Sequence, residues 1–379
     1  MVTIPRTPSN HSLADVMPSV AAALGAHGPN PLNLEPSRDA VLMLVDGLGA
    51  ELIREYAEHA PTLASMTTRM ISAGFPSTTA TSLTSLAVGA PCSQHGIVGY
   101  SFQISDSAGP TTFNPLRWTL ESSGGPTAID RFPPREVQAM PSLLELLATD
   151  GVEVTYVMRA DFRDSGLTRA AFRADGAYLP ANTLEEINRA VTATVSYPSR
   201  TRRFVYAYFG DLDMIGHIHG PGSPEWLHSL REVDAFIADL ATDLPTDCRL
   251  VVTADHGMVT AQTSIDIDTT PALLADVNTV AGEARVRHAY AREGAAQDVL
   301  AAWSSQLRGH ARVLAREQAL DEHLFGPGRE HASRLGDVIA IATGGVVLTR
   351  SQNEELESSL LGHHGANTAA EQHIPLIAR

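Results

Sequence analysis

The chain is short of cysteine, of positive charge and of long apolar runs, and each shortage narrows what it can be. Its 379 residues include two cysteines, Cys92 and Cys248, which have no metal-site spacing and give no sign of pairing; they suggest a reducing compartment. Lys and Arg together number 27 against 43 Asp and Glu, a formal charge of −16. An average surface of that sign repels a polyanion, so a nucleic-acid polymer is not an expected partner. A small phosphorylated substrate is compatible if metal ions supply local positive charge. No segment reaches about 18 uninterrupted apolar residues, so a membrane span is not expected. Met1 to Gly25 lacks the basic start and continuous apolar run of a signal peptide, and Ser12-Leu13-Ala14-Asp15-Val16-Met17-Pro18 reads as a capped helix. The expectation is a soluble, cytoplasmic protein without internal repeats or low-complexity tracts.

What is present is an alternation of strand and helix. At 44% hydrophobic and 18% charged, the chain is long enough for one large α/β core plus an inserted subdomain. A first strand over Ala40–Val45 runs into a helix near Ala50–Ala57, and Pro61–Ile71 reads as another helix. Further on, Leu143–Thr149 is helical, Val152–Met158 strand-like, Thr183–Ala193 helical, and Pro224–Leu244 a long amphipathic helix. This rhythm predicts an α/β fold: a doubly wound, mostly parallel sheet with helices on both faces. Two regions break it. Ser101–Arg135, rich in Ser, Gly, Pro and Thr, reads as a long loop over the site. From about Gln262 the pattern becomes strand (Ala284–Ala291), helix (Ala295–Gly309) and a hairpin-like pair (Val338–Ala342 and Val346–Thr349 around Gly344-Gly345). We take 262–354 as an inserted cap subdomain, with 1–261 and 355–379 forming the catalytic core.

Three strands end in a carboxylate: Val41-Leu42-Met43-Leu44-Val45-Asp46-Gly47, Phe204–Tyr208 running on to Asp213, and Leu250-Val251-Val252-Thr253-Ala254-Asp255-His256-Gly257. In an open parallel sheet, ligands gather outside the carboxyl ends of strands, so three acidic strand ends can meet at one site. His217 follows Asp213 and His256 follows Asp255, and a cluster of Asp and His is what one or two divalent metal ions require. A hydroxyl cluster, Phe75-Pro76-Ser77-Thr78-Thr79-Ala80-Thr81-Ser82, precedes an apolar helical run to Gly89. Alone, such hydroxyls are helix caps. Beside a metal cluster, a hydroxyl at a helix N-terminus is suited to attack on phosphorus.

With these pieces in view, the sequence resembles the alkaline phosphatase superfamily, in particular its type I phosphodiesterase and nucleotide pyrophosphatase branch. The resemblance rests on Asp46-Gly47, the Phe75-Pro76 to Gly89 segment with Ser93-Gln94-His95-Gly96-Ile97 behind it, Asp213-Met214-Ile215-Gly216-His217 with Gly220-Pro221, Asp255-His256-Gly257, and Gly362-His363-His364-Gly365. They occur in the family order over residues 40 to 370.

By position, the resemblance implies Thr79 as the nucleophile. It implies one divalent ion held by Asp213, His217 and His364, and a second by Asp46, Asp255 and His256 with the Thr79 oxygen beside it. Zinc is the metal that the resemblance implies; manganese or iron is tolerated by ligand type. Two ions about 4 Å apart then serve an in-line displacement through a covalent phospho-threonine. His364 is preferred to His363 by the family's Gly-x-His-Gly pattern. His219, His95 and Asp211 are read as loop or structural residues.

One departure concerns substrate. Where the branch has an Asn that donates to a non-bridging phosphate oxygen, this chain has Tyr100, a substrate contact whose hydroxyl reaches differently. Arg117, Arg159 and Asn114 are candidates to replace the missing donor. The implied function is a two-metal hydrolase of small phosphate esters, a phosphodiesterase or nucleotide pyrophosphatase. A phosphomonoesterase or phosphonoacetate hydrolase is the alternative on the same residues, and a non-catalytic metal-stabilised binding protein is the alternative of another class. A sulfatase is disfavoured, because Phe75–Ser82 contains no Cys/Ser-x-Pro-x-Arg segment.

Overall fold

A computed structural model describes residues 10–120, 125–197 and 199–379. The part of the amino-terminal reading that concerns residues 1–9, and the part of the Ser101–Arg135 loop at 121–124, lie outside the described residues.

The run Asp39–Val45 is buried at every position, the pattern of a strand covered on both faces of a parallel sheet. It forms the centre of a seven-stranded sheet ordered 69–72, 373–378, 248–253, 39–45, 203–209, 153–158, 177–180. All neighbouring pairs are parallel except those made by His373–Ala378, which runs antiparallel to both of its neighbours. The fold is α/β with a mostly parallel central sheet flanked by helices, as expected. In register, Leu44 pairs with Tyr208 on one side and Thr253 on the other. The three acidic strand ends are therefore neighbours in space.

A smaller antiparallel sheet, ordered 277–283, 286–291, 338–342, 311–315, packs on the Ala296–Gln306 helix around its own apolar cluster, which includes Ile267, Val299, Trp303 and Leu348. Val286, Leu314, Ile339 and Ile341 of this sheet join the main apolar core, and buried ion pairs accompany them. Arg285 forms a bidentate pair with Glu371 at 2.9 Å for both bonds, and Arg287 pairs with Glu354 at 2.8 Å; none of the four side chains is exposed.

Several local expectations are corrected. Pro61–Ile71 is helical only to Met66, and Arg69–Ser72 is an edge strand, because its backbone finds the antiparallel partner His373–Leu376. Within Ser101–Arg135 lies a hairpin, Phe102–Asp106 with Gly109–Phe113; Phe102 and Phe113 are directly opposed and buried, their rings 5.7 Å apart edge-to-face. The strand expected at Ala284–Ala291 is present as Val286–Ala291, and a further strand, Val277–Glu283, precedes it and pairs with it antiparallel. Val338–Ala342 and Val346–Thr349 are strands but not a hairpin. The first pairs with 286–291 and 311–315, the second with Thr263–Asp266 in another sheet. Local turn chemistry at Gly344-Gly345 does not decide strand partners, which are set by longer-range pairing.

Candidate metal centre

At the end of the central strand, Asp46 enters a turn that Gly47 closes with φ +72°. A Cβ on Gly47 would sit 3.0 Å from the Cβ and Oδ1 of Asp213, so the close approach of the first and second strand ends needs glycine. The Gly47 amide donates to Asp255 Oδ1 at 3.2 Å, which ties the first end to the third. Asp213 lies in the first turn of the Asp211–His219 helix, and His217 is one turn on, so both project from one face. The His217 Nε2 is 3.2 Å from Asp213 Oδ2. His364 arrives from the carboxyl-terminal turn, its Nε2 3.2 Å from His217 Nε2 and 3.9 Å from Asp213 Oδ1. His256 Nε2 is 3.3 Å from Asp46 Oδ1, 3.4 Å from Asp255 Oδ2 and 3.1 Å from the Thr79 hydroxyl. All seven residues singled out in the sequence thus converge.

Their donor atoms suit divalent cations in three independent ways. Asp46, Asp255 and His256 form one group whose donor atoms lie within 4.8 Å of one another, and Asp213, His256 and His364 form a second; His217 adjoins the second through its contacts with both Asp213 and His364. Asp46 Oδ1, Asp213 Oδ1 and Asp255 Oδ2 are buried without a hydrogen-bond partner, a costly arrangement for carboxylates unless a cation neutralises them. Each histidine directs Nδ1 at a backbone carbonyl: His217 at Gly362 (2.7 Å), His256 at Gly257 (3.1 Å) and His364 at Ser77 (2.9 Å). A ring that donates from Nδ1 presents the lone pair of Nε2, and all three Nε2 atoms face the acids.

The charges are strongly frustrated as they stand. Burial, then the charges of Asp255 and Asp213, hold the Asp46 carboxyl well above the usual range, although Tyr208 donates a hydrogen bond to it. Asp255 is raised as well, chiefly by burial. Burial acts upward on Asp213 too, but the neighbouring His217 and His364 outweigh it and its carboxyl falls below the usual range. His217 responds in kind: burial alone would depress it, and Asp213 lifts it to about 9. Burial and the neighbouring His256 hold His364 well below its ordinary value.

Thr79 is the first residue of the Thr79–Val88 helix, with Thr78 as its extended N-cap. Its oxygen therefore lies where first-turn amides and the helix dipole favour an anion. Beside it opens a cavity of about 500 Å³ whose wall includes Thr78, Thr79, Tyr100, Arg117, His217 and His364. Tyr100 donates to Glu357 at 3.2 Å and has Asn114 as a further hydrogen-bond partner. Arg117, 3.3 Å from Glu357, also lines a second cavity of about 390 Å³ that holds Arg159, Phe162 and Tyr208 next to Asp46. Asn114 is engaged within its own loop and with Tyr100; its Oδ1 accepts the amides of Leu116 and Arg117. His95 bonds Ser85 Oγ at 2.9 Å and the Ile97 amide at 3.1 Å behind the helix, a structural role. His363 points to the Leu360 carbonyl, and His219 lies 4.0 Å from Glu225.

Sequence reasoning named Tyr208 only as the end of the second strand motif and missed its hydrogen bond to Asp46. It also missed Glu283, which comes from the end of a strand in the smaller sheet. Burial raises the Glu283 carboxyl to about 8 against the opposing pull of a Thr78 hydrogen bond and Arg287. A Cβ at Gly365 (φ +132°) would meet Glu283 Oε1 at 2.5 Å, so this carboxyl is wedged between the Thr78 turn and the turn after His364. No local signal at Glu283 marks it, because its neighbours come from segments about 80 and 200 residues away in the chain.

This arrangement sets a cluster of carboxylates and histidines, at the carboxyl edge of an α/β sheet, against a helix-terminal hydroxyl. Residues 40–367 match the type I phosphodiesterase / nucleotide pyrophosphatase family, and the chain belongs to that family of phosphate-ester hydrolases. Among curated relatives, a segment of 54 residues is 44% identical to the catalytic subunit of GPI ethanolamine phosphate transferase 3 of Homo sapiens, covering 14% of this chain and 5% of that protein. A segment of 61 residues is 41% identical to ectonucleotide pyrophosphatase/phosphodiesterase family member 7 of Homo sapiens, covering 15% and 13%. The matches therefore span small fractions of those proteins. Among solved structures, an inactive murine ectonucleotide pyrophosphatase/phosphodiesterase 5 in complex with AMP superposes with a TM-score of 0.70 at 18% identity, over 90% of this chain and 87% of that one. The phosphonoacetate hydrolase of Sinorhizobium meliloti 1021, in complex with phosphonoacetate, gives a TM-score of 0.66 at 18% identity, covering 91% of both chains. Among the described residues no helix is long and apolar enough to cross a membrane.

Proposed function

We propose that the chain is a two-metal phosphodiesterase of small phosphate esters, working through a covalent phospho-threonine at Thr79. The observation that carries this reading is the position of the Thr79 hydroxyl, at a helix N-terminus, 3.1 Å from His256 Nε2 and on the wall of the same cavity as Asp213, His217 and His364. Asp213, His217 and His364 would hold one ion and Asp46, Asp255 and His256 the other. Zinc suits this oxygen and nitrogen donor set, with manganese or iron as substitutes. When bound, the ions supply charge neutralisation and Lewis acidity.

The chain's own groups do the rest. The dipole and first-turn amides of the Thr79–Val88 helix favour the phosphate. The Thr79 oxygen attacks phosphorus, the P–O bond to the leaving group breaks, and the leaving oxygen departs on the Asp213, His217 and His364 side. Water then attacks the phospho-threonine, the P–Oγ1 bond breaks and the hydroxyl is regenerated. Tyr100, at the cavity wall, is the candidate donor to a non-bridging oxygen.

A second reading, a phosphonoacetate hydrolase or phosphomonoesterase, is favoured by the fold similarity to the Sinorhizobium enzyme and by the replacement of the branch's Asn with Tyr100. We further propose residues 262–354 as the inserted cap subdomain, and a cytoplasmic location, which the two unpaired, buried thiols Cys92 and Cys248 support. The test of function is turnover of bis-p-nitrophenyl phosphate against p-nitrophenyl phosphate by the zinc-loaded protein, with a chelated control. Faster chelator-sensitive turnover of the diester is expected. Faster turnover of the monoester transfers the protein to the phosphomonoesterase reading, and no turnover of either with metal bound directs the search to phosphonates or to a non-catalytic binding role.

A further inference from the structure

Among the described residues, eight large apolar side chains are exposed, and half of them gather at one place. Leu116, Met214, Ile218 and Leu356, with exposures between 38% and 63%, all line the cavity beside Thr79. A fifth, Leu361, has its amide bonded to the His217 carbonyl. Single exposed leucines are ordinary, but a collar of them around a reactive centre marks a binding surface. The elements behind the collar are unrelated in sequence: the loop after Phe113, the Asp211–His219 helix and the Glu355–Ser358 turn of helix. The same cavity is poor in groups that would hold additional anions. Among the described residues that line it, Arg117 is the sole arginine or lysine, and Glu357 pairs with it. Glu283 and Glu354 also line it, and Glu283 Oε1, Glu354 Oε1 and Glu357 Oε2 are buried without hydrogen-bond partners.

We propose that the ester acted on at this centre carries an uncharged apolar arm, an alkyl or aryl chain of several carbons, that lies across Leu116, Met214, Ile218 and Leu356. The inference rests on the phosphate-ester reading above and names the substrate class of the same site. Collar and carboxyls act together: the first withdraws hydrocarbon from water, and Glu357 engages Arg117, the one lining arginine or lysine among the described residues, which would otherwise receive an arm that ends in a negative charge.

The test is calorimetric binding of ethyl, butyl and hexyl phosphate to the zinc-loaded full chain, at chain lengths short enough to stay monomeric in solution. Partial burial of each methylene predicts a dissociation constant that falls about 2-fold per carbon, hence about 16-fold from ethyl to hexyl. Leu356→Ser and Leu116→Ser are each expected to flatten this series to less than about 4-fold. Leu146→Ser, which removes an exposed leucine from the Leu143–Thr149 helix outside the cavity, keeps the full series. A six-carbon arm ending in carboxylate is expected to bind no better than ethyl phosphate. A flat series in the unaltered protein, an undiminished series in both collar variants, or tight binding of the carboxylate-tipped arm overturns the proposal. Turnover of bis-p-nitrophenyl phosphate, measured alongside, separates the two readings. A flat series with turnover retained removes the apolar arm alone, and a rising series without turnover removes the reaction alone.

Discussion

Replacing Glu371 with Ala tests whether the smaller sheet is part of the catalytic apparatus. Glu371 is fully buried and receives four hydrogen bonds: two from Arg285 at 2.9 Å, one from the Ala366 amide at 2.9 Å and one from the Thr368 hydroxyl at 2.6 Å. Removal leaves the Arg285 guanidinium buried with the Val346 carbonyl as its remaining partner. Breaking a buried ion pair on one side costs about 3–5 kcal/mol, because the surviving charge loses both water and partner. The site consequence follows from the same contacts. Ala366 accepts the Ser77 hydroxyl at 2.7 Å, Gly365 accepts the Ser77 amide at 3.0 Å, and Ser77 accepts His364 Nδ1. Freeing the 364–366 turn therefore loosens His364 and the segment that leads to Thr79, with metal affinity expected to fall about 10- to 100-fold. Urea unfolding of metal-loaded protein gives the first quantity, and competition with a chelating dye gives the second. The Arg285→Met/Glu371→Met double variant should recover much of the stability but not the tether to Ala366. A Glu371→Ala protein within about 1 kcal/mol of the parent refutes the energetic argument. One that is destabilised yet binds metal like the parent refutes the coupling to the site.

Four further outcomes are expected. Thr79→Ala binds metal but loses turnover by at least ~1000-fold, whereas Thr78→Ala loses less than about tenfold, since it gives up one hydrogen bond to Glu283 and not the nucleophile; steady-state kinetics on the diester decide between them. Chelation lowers the melting temperature and excess zinc restores it, by about 4 kcal/mol at a thousandfold excess over the dissociation constant, because the orphaned oxygens of Asp46, Asp213 and Asp255 regain a cation. Stability of the apo protein falls with acid. Burial, reinforced by His331 and Arg334 at His95 and by Arg316 and Arg287 at His288, lowers both histidines to about 3. Between there and the unfolded value near ~6.5 the unfolded chain binds the extra protons, so each histidine removes up to about 1.4 kcal/mol per pH unit as pH falls. A His95→Gln protein that melts with the parent's pH slope contradicts this. Finally, Gly365→Ala, whose Cβ would meet the Glu283 carboxyl at 2.5 Å in a backbone region unfavourable to alanine, should lose stability and metal affinity together in the same two assays.

The sequence by itself determined the parallel core, and its strand ends together with the family resemblance named the seven residues that the fold brings together. That legibility has a physical cause. Asp39–Val45 is apolar at nearly every position because both faces are covered, and a carboxylate directly after such a run can only lie at the sheet's carboxyl edge. Asp213 and His217 are legible together because one helical turn separates them.

What only the tertiary structure decided is everything that depends on contacts between distant segments. The edge strand Arg69–Ser72 exists because His373–Leu376 offers it a ladder, and the strands at Val338 and Val346 separate because better partners lie elsewhere. The Tyr208 bond to Asp46, the wedge of Glu283 against Thr78, the Arg285–Glu371 tether and the collar of Leu116, Met214, Ile218 and Leu356 join residues tens to hundreds of positions apart. Periodicity and motif spacing report a residue's own element and its immediate turn. They carry no information about which side chain of another element will be pressed against it, and that pressing is what shapes the cavity and hence its choice of substrate.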